Sequence, residues 1–304
     1  MSGPKDGRQE TGGAYAQEFM TTKEVATYLR IKERRLYELV KQGEIPCTKV
    51  TGKWLFPKAL IDLWLAENAE GRTLPASPPP VIAGSQDPLL DWAVKESGCG
   101  LALLPGGSVD GLKRFAAGEA VAAGLHILEH EKAYNVATVR AALGSKPVAL
   151  MEWAKRKQGI LLAPGNPADI LGVLDLGYAR LVRRQPAAGS QILLEFLLRA
   201  AGHDLDKIKW TEEVAHGETD LGMMVLDGRA EAGLAVEAVA RALNVEFRPL
   251  AEERFDLLAR RRDFFEPPLR TLLDFCRTPA FRERAAAMGG YDVSELGKIH
   301  FNGP

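Results

Sequence analysis

The sequence predicts an α/β protein in which a small helical N-terminal unit precedes a larger α/β unit. Three observations predict it. Four prolines fall within residues 73–80, a stiff spacer that splits the chain. Before the spacer, apolar residues recur at helical spacing. Beyond it, short apolar runs alternate with amphipathic helices, the pattern of a mostly parallel sheet.

Residues 1–18 are polar and Gly-rich, with no apolar stretch of signal-peptide length, and are expected to form a tail. Thr21 and Glu24 have capping-box spacing, so a helix opens there with Val25, Ala26 and Leu29 on one face. A second helix is expected over residues 33–42, with Leu36, Leu39 and Val40 inward and Gly43 just past its end. Residues 47–56 alternate around Thr51-Gly52, which suggests a tight hairpin. Pro57 suits the start of a third helix, with Leu60, Ile61, Trp64 and Leu65 inward.

Beyond the spacer, strands are expected at 81–83, 101–104, 123–127, 148–152, 160–163, 179–183, 231–235 and 255–258. Helices are expected at 89–96, 109–117, 190–201, 237–243, 267–277 and 280–288. This length fits one large domain or two lobes.

Composition narrows the function classes. With 46% hydrophobic and 26% charged residues, the 304-residue chain is neither disordered, collagenous nor coiled-coil. A net charge of -1 argues against a protein that is basic all over, but the charge is unevenly spread. Residues 19–72 carry ten basic and seven acidic side chains, net +3, and residues 73–304 carry net -3. Cys47, Cys99 and Cys276 form no disulfide framework and have no metal-ligand spacing, which fits reduced thiols in the cytoplasm. His126 and His130 sit at an expected strand end, so no metal pair is expected there. No window is apolar enough to suggest a membrane span.

In the first unit, burying Leu36, Leu39 and Val40 turns Glu33, Arg34, Arg35, Tyr37 and Lys41 outward, where an Arg fork could meet a guanine edge or a phosphate. The hairpin tip offers Lys49, Thr51 and Lys53. The motifs Thr22-Lys-Glu-Val-Ala26, Arg34-Arg-Leu-Tyr37, Gly43-Glu-Ile-Pro46, Gly52-Lys-Trp-Leu-Phe56 and Ile61-Asp-Leu-Trp-Leu65 run in this order. Together they resemble the excisionase and MerR-like winged helix-turn-helix family. The resemblance implies double-stranded DNA as partner, contacted by those residues and Thr22. Lys32 stands where the family usually has Ser, Thr or Asn as cap of the second helix.

Four loops of the second unit place small residues before a helix start: 84–88, 104–108, 163–167 and 183–190. Such loops suit an anion or small molecule at strand ends. With Gly124-Leu-His-Ile127, Tyr134-Asn135, Arg156-Lys-Gln-Gly159 and Glu253-Arg-Phe-Asp256, they resemble the type 2 periplasmic-binding-protein-like domain, in the branch related to molybdate-binding proteins. The resemblance implies lobe I at about 81–157 and 259–304 and lobe II at about 158–258. The chain would cross at 155–163 and return at 249–258. It also implies a ligand held by Ser85, Gly107, Ser108, Tyr134, Arg184, Gly189, Ser190 and His216, with molybdate or tungstate as effector and no cofactor or catalytic metal. Ala187-Ala-Gly-Ser-Gln191 stands where relatives often read Gly-Ser-Gly-Thr-Arg.

No nucleophile elbow, metalloprotease, phosphate-loop or dinucleotide motif is present. The two resemblances together imply a ligand-responsive transcriptional regulator, not an enzyme, acting as a homodimer or larger homo-oligomer. Two alternatives stay open: a cytosolic enzyme on the two-lobe scaffold, and an excisionase-like architectural DNA binder.

Overall fold

The computed structural model describes residues 19–49, 52–68, 78–130 and 133–304. The chain divides into two units, Met1–Ala76 and Ser77–Pro304. The expected tail, Thr51 and most of the proline spacer lie outside the described residues.

In the first unit, α1 (Thr22–Tyr28) opens on the expected capping box. The Thr21 N–H donates to Glu24 Oε2 at 2.7 Å, and the Glu24 N–H donates back to Thr21 Oγ1 at 3.4 Å. Helix α2 (Glu33–Gln42) starts at Lys32 without a side-chain cap and ends at Gly43 in the left-handed conformation, φ 72°. Strand β1 (Phe19–Thr21) pairs antiparallel with β2 (Leu55–Pro57). The expected hairpin is thus reduced to one bridge, Thr48 to Leu55, because β2 takes its main partner from the start of the unit. Helix α3 (Lys58–Glu67) buries Ile61 and half-buries Trp64. Leu60 and Leu65, expected inward, are exposed: a core of Met20, Val25, Leu36, Leu39, Ile45 and Phe56 occupies a narrow face of α3.

The second unit is organised by two 15-residue strands, β8 (Val148–Leu162) and β12 (Glu246–Arg260), antiparallel over their whole length. The expected strands 148–152 and 160–163 are the two ends of β8. Gln158, Arg156 and Lys157 continue the ladder between them. On one side β3 (Val81–Gly84), β4 (Ala102–Pro105) and β5 (Ala122–Leu125) run parallel, and β5 joins β12. Strands β6 (Leu128–His130) and β7 (Ala133–Tyr134) form a small hairpin after β5. On the other side β9 (Arg180–Arg184), β10 (Lys209–Ala215) and β11 (Ala232–Val236) are parallel, and β11 joins β8. Short strands β13 (Tyr291–Asp292) and β14 (Ile299–Asn302) complete the sheet along β8.

Two lobes therefore share one ladder. Helices α4 (Pro88–Ser97), α5 (Ser108–Ala117) and α6 (Val136–Leu143) cover the first lobe. Helices α7 (Gly189–Ala200), α8 (Glu218–Leu226) and α9 (Glu237–Leu243) cover the second. Helices α10 (Pro267–Cys276) and α11 (Pro279–Met288) return to the first lobe, where Leu269, Leu272 and Phe281 pack with Leu89, Leu90 and Trp153. Every residue of β11 is buried, which explains its unbroken Ala-Gly-Leu-Ala-Val run.

Candidate functional site

Helix α2 buries Leu36 and Leu39 and turns Glu33, Arg34, Arg35, Tyr37 and Lys41 to solvent. The Arg34 side chain is 92% exposed. Glu38 pairs with both neighbouring arginines, at 3.5 Å to Arg34 Nε and 3.1 Å to Arg35 Nη1. Exposed pairs of this kind are worth at most about 1 kcal/mol, so a phosphate can take their place. Thr22 is half-buried in the first turn of α1, while Lys49 and Lys53 are exposed. Lys49 Nζ stands 5.4 Å from the centre of the Trp54 ring, and Trp54 is half-buried in the core.

In the second unit, loops from the two lobes meet at the ends of the parallel strands. Ser85 Oγ and Ser108 Oγ lie 2.8 Å apart, and Ser108 Oγ also accepts the His126 N–H at 3.0 Å. Ser108 stands inside α5 rather than capping it; Gly107 is the cap residue, and the hydroxyl is turned to Ser85. Facing this loop, the Val109 N–H donates to the Ala187 carbonyl at 3.3 Å. Gly107 has φ +87°, and a Cβ there would stand 2.6 Å from the Ala187 oxygen, so only glycine lets the loops close this far. A Cβ on Gly189 would likewise stand 2.6 Å from the His126 carbonyl. Ser190 is the second residue of α7, whose cap residue is Ala188.

Arg184 ends β9 at this junction and is buried. Its Nε donates to the Ala215 carbonyl at 3.0 Å, Nη1 to Ser190 Oγ at 3.3 Å and Nη2 to the His216 carbonyl at 3.4 Å. Among the described residues it makes no ion pair. Burial pulls its pKa down, opposed by the more distant Glu218 and Asp220. Arg184 is thus a buried guanidinium with no carboxylate within ion-pair distance among the described residues, in contact with Ser190 in the first turn of α7.

Behind the loops, the crossing strands carry a buried charge network. Arg156 reaches Asp87 Oδ2 at 2.9 Å and also Glu253 Oε1. Its guanidinium lies 4.4 Å from the centre of the Phe255 ring. Glu253 Oε2 lies 2.8 Å from His126 Nδ1, and Gln158 Nε2 donates to Glu253 and Glu218 at 3.0 and 3.1 Å. Asp87 caps α4 through the Leu90 N–H and accepts from Tyr291 and Trp153. Burial alone would raise the Glu253 carboxyl, but Arg156 and His126 outweigh it and hold it at about 2. The network thus links α4 of one lobe, both crossing strands and α8 of the other.

The structure brings Ser85, Gly107, Ser108, Arg184, Gly189 and Ser190 together. It does not bring Tyr134 among them: that hydroxyl reaches the Glu252 carbonyl at 3.5 Å, and the ring lines a separate groove of about 550 Å³ with Leu193 and Phe196. His216 contributes its backbone carbonyl, while the residue itself is exposed. His126, Arg156, Gln158, Glu218 and Glu253 were not among the expected site residues. No local pattern marks them: Arg156, Gln158 and Glu253 sit in charged stretches of the crossing strands, His126 follows β5 and Glu218 opens α8, and only the fold buries them together. Among the described residues, no group of three or more His, Cys, Asp or Glu could hold a metal ion. None of the described helices is long and apolar enough to cross a membrane.

A sequence profile of the PBP superfamily domain matches residues 91–277, more than half of the chain. The chain belongs to this superfamily. A helix-turn-helix domain profile matches residues 19–69. The uncharacterized protein YvgK of Bacillus subtilis (strain 168) is 24% identical over 299 residues, covering 92% of this chain and 96% of YvgK. The uncharacterized protein in the 5′ region of the ferredoxin 2Fe-2S gene of Clostridium pasteurianum is 29% identical over 109 residues, 36% of this chain and 96% of that protein. The regulatory domain of MetR, a LysR family regulator from N. meningitidis, superposes with a TM-score of 0.50 at 14% identity, covering 72% of this chain and 98% of that domain. This last likeness concerns the fold alone. A helix-turn-helix domain joined to a PBP-like domain fits a ligand-responsive DNA-binding regulator.

Proposed function

We propose that this PBP superfamily member is a cytoplasmic one-component regulator. Its lobe-junction cleft binds a small oxyanion, and its helix-turn-helix binds double-stranded DNA as part of a homodimer. The observation that carries the anion reading is Arg184: a buried cation with no counter-charge within ion-pair distance among the described residues, donating to Ser190 at the start of α7. Ser85, Ser108 and the Gly107 and Gly189 backbones supply the remaining polar surface. Molybdate and tungstate head the panel because the sequence motifs resemble the molybdate-binding branch.

Lobe closure on the anion would alter the spacing of two DNA modules, so effector and DNA affinities are coupled. The experiment is a thermal-shift panel on the full chain with molybdate, tungstate, sulfate, phosphate and small carboxylates. A bound anion at a hundred times its Kd stabilises by about 2.7 kcal/mol. Arg184→Met removes that shift. Absence of any shift at millimolar concentration sinks the oxyanion reading.

A further inference from the structure

Two polar atoms buried behind the cleft loops have no partner among the described residues: Nε of Arg156 and Oε1 of Gln158. They belong to neighbours two positions apart on β8, hence on one face of the strand, and both side chains reach Glu253 from it. Arg156 is 1% exposed and Gln158 0%. Gln158 is held in one orientation. Its Nε2 is committed to Glu218 and Glu253, two acceptors, so its oxygen faces away from them. One orphan atom is a donor and the other an acceptor, and leaving such atoms dry and unpaired is costly. Loops of both lobes converge on this face through Asp87, His126 and Glu218. Arg184 donates to the His216 carbonyl, two residues before the Glu218 that Gln158 holds. The site therefore asks for a negative charge at Arg184 and, near it, a group that accepts one hydrogen bond and donates another.

We infer that the effector is an anion carrying its own hydrogen-bond donor, a hydroxyl or a protonated oxygen, which accepts from Arg156 Nε and donates to Gln158 Oε1. The inference rests on reading the cleft as an anion site and narrows it. Molybdate and tungstate are bare acceptors at neutral pH, whereas hydrogen phosphate and 2-hydroxycarboxylates supply the donor.

The test is isothermal titration of the full chain at pH 7 with matched pairs: sulfate against phosphate, and propanoate against 2-hydroxypropanoate, with molybdate alongside. Within each pair the shapes are close, and sulfate carries at least as much charge as phosphate, so charge alone favours the wrong member. The donor-bearing member is expected to bind at least tenfold tighter. Gln158→Leu is expected to bring that ratio close to one. Should Gln158→Leu fail to fold, the wild-type ratios decide alone. Sulfate, molybdate or propanoate binding as tightly as its donor-bearing counterpart overturns the inference and leaves the anion site standing. Binding of none of these anions overturns both.

Discussion

Replacing Arg156 with Met tests whether the crossing strands are held by charge. Arg156 pairs with both Asp87 and Glu253, and both carboxylates have fully buried side chains. Removing one partner of a buried ion pair costs about 3–5 kcal/mol, because the remaining charge stays desolvated. Two charges are stranded here, but each keeps other donors. Asp87 retains the Leu90 N–H at 2.7 Å, Tyr291 at 2.7 Å and Trp153 at 3.1 Å. Glu253 retains His126 at 2.8 Å and Gln158 at 3.0 Å. The expected loss therefore lies at the lower end, about 3 kcal/mol, or a fall in Tm of roughly 6–12 °C for a unit of this size. Denaturant unfolding followed by tryptophan fluorescence reads it, since Trp153 donates to Asp87. Adding Glu253→Gln to Arg156→Met should recover about 1–3 kcal/mol of the loss. A loss below about 1 kcal/mol for Arg156→Met would refute the argument.

Arg34→Ala should weaken DNA binding by about 1–3 kcal/mol in a salt-controlled gel shift, and unchanged affinity removes Arg34 from the interface. Glu38→Gln frees both Arg34 and Arg35 from their competitor, so DNA binding should tighten by up to about 1 kcal/mol, with a steeper salt dependence. The Glu253 carboxyl is held at about 2, below its ordinary 4.5. Its stabilisation is fully present above pH 4.5 and is lost as pH falls toward 2. Asp256, pushed up by burial, acts in the opposite sense. Acid unfolding of Glu253→Gln against wild type isolates the first effect: the wild-type advantage should shrink through that window, and a constant difference contradicts it.

Much of the fold was legible in local chemistry. The Thr21–Glu24 box and Gly43 each fix a helix end within a few residues. Strand β10 escaped because its Lys-Trp-Thr-Glu-Glu-Val-Ala sequence is that of a charged edge strand. Helix α6 carries Val136, Thr138 and Val139, β-branched residues that blur helical periodicity. Leu60 and Leu65 follow the apolar pattern, yet only Ile61 and Trp64 meet the small core, so their exposure is a tertiary outcome. In the candidate site, Ser85, Ser108, Arg184 and Ser190 came from the resemblance to the periplasmic-binding-protein-like domain, and the contacts Ser85–Ser108 and Arg184–Ser190 join them in two pairs. The pairing of Arg156 with Asp87 and Glu253 was not, because it joins residues 69 and 97 positions apart through the return strand.

In the proposed regulator, an anion at the lobe junction and DNA at the helix-turn-helix influence one another. The most direct measurement of this coupling is a reciprocal pair of titrations on the full chain, using a duplex selected from a random pool. DNA affinity is measured with and without saturating phosphate, and phosphate affinity with and without saturating duplex. Linkage requires the same factor in both directions, expected between about 5- and 150-fold and lost in Arg184→Met. Phosphate binding that leaves DNA affinity unchanged would contradict the proposed coupling.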